Sequence, residues 1–131
     1  MAAVITSTPT HYAHTITVNG HALTADEPER LGGKNAGPAP FDLYLASLAA
    51  CTAITLRMYA ERKGWELGEF RAVLRLGFGE DGRPHVHRIL HADGPLDDAQ
   101  WARLLEVVAN TPVTKAMREG ADITSARGDG P

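Results

Sequence analysis

The chain has 131 residues, 44% of them hydrophobic and 22% charged, with a formal net charge of −3. That is enough for one domain with its own core and too little for two, and it offers no basic footprint for nucleic acid. The single cysteine rules out an intrachain disulfide framework and a cysteine-based zinc site, and it fits a reducing, cytoplasmic setting.

The first residues, Met1 to Ser7, lack the charged-then-apolar pattern of a signal peptide. Residues 11–18 are β-branched and aromatic, and Asn19-Gly20 separates them from His21–Ala25. Asn-Gly is the strongest short hairpin signal, because both residues tolerate positive φ. A hairpin over about 10–26 is therefore expected, followed by a loop to Pro38. Gly32-Gly33 and Gly37 in that loop lack the Gly-Lys-Ser/Thr ending of a phosphate loop. Their expected job is to bring backbone close to Cys51 or to a dimer mate.

Pro40 suits the first turn of a helix, where its missing N–H costs nothing, and Asp42 favours the helix dipole there. The helix is expected over 40–63, with Gly64 as its stop. Its apolar surface runs nearly all the way round, so it needs cover on every side. A second subunit is the economical cover. The apolar run from Phe41 to Leu56 is short for a membrane span and carries Asp42, so a core helix is expected and no membrane partner.

A second hairpin is expected over about 68–93. Phe70, Ala72, Leu74, Leu76 and Phe78 share one face and Arg71, Val73, Arg75 and Gly77 the other, with Asp81-Gly82 in the turn. His85, His87 and His91 share a face of the return strand. No carboxylate or cysteine completes a ligand set with them, so a solvated face is expected, with no metal or other cofactor. Asp97 and Gln100 form a capping box for a helix over about 97–110, with an apolar stripe of Trp101, Leu104, Leu105 and Val108. Thr111 caps a short helix over about 112–119, with Pro112 at its first position and Gly120 past its end. Ile123 is placed in a last strand over about 121–126. The order of elements reads as one α+β domain over 1–131.

The Gly-Gly…Gly-Pro-x-Pro loop, Leu48-Ala49-Ala50-Cys51-Thr52 and Arg57-Met58-Tyr59-Ala60 together resemble the superfamily of osmotically inducible protein C and organic hydroperoxide resistance protein (OsmC/Ohr). The likeness continues through Gly94-Pro95-Leu96-Asp97 and Ala109–Lys115, and covers roughly residues 10–126. It implies an intertwined homodimer with antiparallel sheet wrapped around long central helices, and a reactive site near the subunit interface. In the superfamily's peroxidases, the cysteine matching Cys51 attacks the peroxide as a thiolate. A second cysteine, before the Pro-Val of a later helix, then closes a disulfide.

Here that second position is Thr111, which can cap a helix but cannot resolve a sulfenic acid. The peroxidases also lower the cysteine pKa with an arginine from the N-terminal strands and a glutamate near the start of the long helix. The arginine available before the helix in this chain is Arg30, in the loop, and the carboxylate is Asp42, nine residues before Cys51. Nine residues is a rotation of about 180° on an ideal helix, so Asp42 serves either a partner's thiol or its own helix N-terminus. The family usually places a serine where Ala39 stands, so a side-chain cap worth ~1 kcal/mol is missing.

Two readings of Cys51 stay open. It is a buried small hydrophobe whose pKa burial raises, or it is a reactive thiol helped by Arg30, Lys34 or a basic residue of the other subunit. The first leaves a non-enzymatic protein that holds a small hydrophobic ligand at the dimer interface. The second gives a one-cysteine, thiol-dependent peroxidase of oxidative stress defence, whose sulfenic acid an external thiol reduces.

Overall fold

The structure is a computed structural model that describes residues 1–130. The chain forms two compact units, residues 1–47 and residues 48 onward, and one helix begins in the first and ends in the second.

The first unit holds a three-stranded antiparallel sheet of β1 (Ala3–Ser7), β2 (His14–Val18) and β3 (His21–Ala25), in that order. Val18 pairs with His21 across Asn19 (φ 48°) and Gly20 (φ 77°), a two-residue turn with both centres left-handed. Strand β1 extends the sheet beyond the expected hairpin, pairing Ile5 with Ile16. The segment that the sequence showed only as a non-leader is thus an edge strand.

The loop after β3 is tied down by Asp26, which is 3% exposed. Its carboxylate accepts the backbone N–H groups of Glu27 (2.8 Å), Lys34 (3.1 Å) and Ala36 (3.1 Å). The bond from Ala36 acts most strongly on Asp26. Burial opposes it, but with the Glu27 and Lys34 bonds and the nearby His11 it holds the carboxyl below its usual value. A Cβ on Gly33 would collide with the Glu27 carbonyl, and one on Gly37 with the Thr24 carbonyl. These glycines therefore let the loop fold back against its own β3 flank.

Helix α1 spans Pro40–Lys63. The missing serine cap at Ala39 is offset from the other side: the Asp42 carboxylate accepts the Ala39 N–H at 2.9 Å, half of a capping box. Gly64, at φ 71°, ends the helix and donates to Glu61 O at 3.1 Å.

The second unit packs the rest of α1 with the antiparallel pair β4 (Phe70–Phe78) and β5 (Pro84–Ala92) and with α2 (Asp98–Val108) and α3 (Pro112–Glu119). Leu56, Ala60, Leu67, Leu104 and Val108 form its buried core, and Tyr59, Trp65, Phe70, Leu90 and Val107 pack against them. Asp97 and Gln100 make the full capping box of α2. The expected stripe of α2 is narrower than its spacing suggested: Leu104 is fully buried, whereas Leu105 is 53% exposed and Val107 packs against the core instead. Residues 121–126 carry no strand. Ile123 is 87% exposed, so the strand expected there is corrected to irregular chain. His85, His87 and His91 are all exposed on the outer face of β5.

Candidate active site

Helix α1 buries a single stripe, Leu48, Thr52, Leu56 and Ala60, at a spacing of four. Cys51 stands one residue off that stripe, about 100° round the helix, and is half-buried. Its sulfur lies 3.7 Å from the Thr55 hydroxyl, one turn on.

Across from it is the first turn of α3. Thr111 is the N-cap and is 2% exposed, with its hydroxyl accepting the Thr114 N–H at 3.4 Å; Pro112 follows at the first helical position. The sequence places both residues correctly because cap and proline carry their own local signal. Past the proline, the next N–H of an α-helix has no partner inside the helix. That group is Val113 N–H, and it is the strongest of the influences that lower the Cys51 thiol.

The cation comes from β5. Arg88 shares a face of β5 with the inward residues Val86, Leu90 and Ala92, so its guanidinium is carried under the sheet rather than into solvent. Its Nη1 donates to the Thr52 hydroxyl (2.9 Å) and the Thr114 hydroxyl (3.1 Å), and its Nη2 to the Val108 carbonyl (2.9 Å). Thr52, fully buried, donates in turn to Leu48 O at 2.7 Å. All of these acceptors are neutral. Among the described residues the one ion pair is Arg103–Glu106, on the surface, so no carboxylate neutralises Arg88.

Several influences meet at Cys51. Burial is the largest and pushes the thiol up. The Val113 N–H, the Thr111 hydroxyl, the Thr55 hydroxyl and the charge on Arg88 act the other way, and together they hold it below its ordinary value. Burial likewise lowers Arg88, while the neighbouring sulfur raises it and Arg118 lowers it further. Arg118 sits on α3 and donates to Ala109 O at 2.6 Å.

The sequence-expected helpers lie elsewhere in the chain. Arg30 is in a single 3-10 turn, Glu29–Leu31, and Asp42 is in the first turn of α1. Both line a cleft of about 510 Å3 in the first unit, with Glu27, Asn35 and Phe41. Cys51, Thr111 and Arg88 belong to the second unit. Asp42 has the cap role described above. Arg88 escaped sequence reasoning, and the signal that could have found it is a charge set in the inward register of an otherwise apolar alternation.

The OsmC-like protein family model matches residues 32–126. Among solved structures, an OsmC-like protein from Mycoplasma pneumoniae is 18% identical, with TM-score 0.67, covering 89% of this chain and 84% of its own. An organic hydroperoxide resistance protein OsmC from Legionella pneumophila is 20% identical, with TM-score 0.63 and coverage of 89% and 88%. An organic hydroperoxide resistance protein from Elizabethkingia anophelis is 24% identical, with TM-score 0.63 and coverage of 88% and 86%. At these identities the solved structures establish the shared α+β fold. No curated protein matches the chain.

Proposed function

Because the chain belongs to the OsmC-like protein family, we propose that it is a cytoplasmic, homodimeric reductase of organic hydroperoxides that works through one cysteine, Cys51. The observation that carries this reading is the half-buried Arg88, which has no carboxylate partner among the described residues and whose charge, with groups at the start of α3, lowers the Cys51 thiol. A guanidinium and an N-terminal helix amide favour a thiolate, and the thiolate is the nucleophile.

The Cys51 sulfur attacks one peroxide oxygen. An S–O bond forms, the O–O bond breaks, and the leaving alkoxide takes a proton and departs as the alcohol. Cysteine is oxidised by two electrons to sulfenic acid and the peroxide is reduced by two. With Thr111 where the family's peroxidases have a second cysteine, resolution falls to an external thiol. It displaces water to give a mixed disulfide, and a second thiol frees Cys51 as it forms the external disulfide. We assign the activating cation to Arg88 in place of Arg30.

Purified protein supplied with a dithiol is expected to consume an organic hydroperoxide, and Cys51→Ser to lose that activity. Consumption no faster than the dithiol alone would retire the enzyme. The remaining reading is then a binding protein whose apolar ligand sits beside Cys51, where Ile54 and Met58 are 59% and 55% exposed.

A further inference from the structure

The two threonines beside Cys51 form a closed set of donors and acceptors. A hydroxyl has one proton to give and two lone pairs to receive with. Thr114 Oγ receives Arg88 Nη1 at 3.1 Å, and its proton has two possible acceptors, Thr111 Oγ at 2.6 Å or Val108 O at 3.3 Å. Thr111 Oγ already receives the Thr114 N–H at 3.4 Å, and its hydroxyl is one of the groups that lower the Cys51 thiol.

Two arrangements satisfy every group. In one, Thr114 donates to Thr111, both Thr111 lone pairs are filled, and the Thr111 proton has one outlet, the sulfur. In the other, a Cys51 S–H donates to Thr111, Thr111 to Thr114, and Thr114 to Val108 O. The first arrangement matches a thiolate and uses the shorter contact; the second matches a thiol.

We propose that Thr114 is a positioning residue: held by Arg88, it turns the Thr111 hydroxyl toward the Cys51 sulfur when that sulfur is charged and lets the chain reverse when it is protonated. Thr114 touches no reacting atom and acts through Thr111. The charged groups facing this chain are Arg88 from β5 and, behind it, Arg118 from α3; α1 contributes neutral Thr52 and Thr55. The proposal rests on Cys51 being the reacting thiol of the preceding section, but its test does not need the peroxidase assay.

The test is the pH dependence of iodoacetamide alkylation of Cys51, which reads thiolate directly, on the wild type, Thr114→Val, Thr114→Ser and Thr111→Val. The expected result is a midpoint displaced to higher pH for both valine variants, with alkylation at pH 7 slower by about tenfold or more, as loss of a hydrogen bond to a charged group implies. Thr114→Ser keeps the wild-type profile, because it restores the hydroxyl but not the methyl. A Thr114→Val profile superimposed on the wild type overturns the proposal, as does a wild-type midpoint no lower than that of the urea-unfolded chain. If Thr114→Val melts early, Thr111→Val and the serine rescue still decide it. Failure of peroxide consumption with the expected alkylation shifts would instead remove the peroxidase reading and leave this one standing.

Discussion

Thr111 is a helix cap that the sequence already displayed, and the family resemblance implies that it stands where the peroxidases have their second cysteine. Its hydroxyl caps α3 and also helps hold the Cys51 thiol below its ordinary value. Thr111→Cys is therefore expected to form a 51–111 disulfide on treatment with one equivalent of hydroperoxide, seen by peptide mapping without reductant. The wild type is expected to show sulfenic acid or an external mixed disulfide instead. Recovery of two free thiols from the variant would place the two side chains outside bonding distance. Arg88 was not legible in the same way. It comes from a strand 36 residues beyond Thr52, and no local rule marks which inward charge in a hairpin meets which helix. The side chains that signal themselves locally, caps and prolines, were readable, and the one that matters through long-range pairing was not.

Local signals did well for elements that end on a strong residue. Pro40 and Gly64 bound α1, Asn19-Gly20 turns β2 into β3, and Asp97 with Gln100 opens α2. They failed where an element is defined by its neighbours. Strand β1 exists because β2 offers it an edge, and the strand expected at Ile123 pairs with no strand and does not form. The loop between β3 and α1 belongs to a third kind, built around a buried acceptor. Asp26 has its pKa lowered, so the carboxylate's contribution to stability is fully present above its unfolded value near 3.8 and is lost as pH falls through the lower folded value. Asp26→Asn keeps one oxygen acceptor but presents N–H groups where Lys34 and Ala36 also donate. The expected outcome is a lower melting temperature than the wild type at pH 7, with the gap closing as pH falls from 4 toward 2. A gap independent of pH across that interval would show that the carboxylate's charge contributes nothing to the loop.

The whole molecule leaves α1 largely uncovered. It is long and apolar enough to cross a membrane by length and composition, yet just 22% of its most apolar window is buried. Sequence pattern had already required cover all round, and one chain supplies it along one stripe. The proposed homodimer accounts for the remainder, since Ile54 and Met58, one turn apart on one face, are each more than half exposed. Analytical ultracentrifugation is expected to give a dimer for the wild type and a shift to monomer for Ile54→Glu, whose charge lands on that face. A wild-type monomer at micromolar concentration would end the dimer proposal without touching the α+β fold.

The carbonyl of Val108 belongs to the last turn of α2, yet it is also where Arg88 anchors one arm of its fork. The rim of a helix and the environment of the sulfur are thereby a single mechanical object. Fraying at that rim is expected to free the buried Val108 side chain and one arm of the guanidinium together, so warming that loosens the end of α2 is expected to slow alkylation of Cys51.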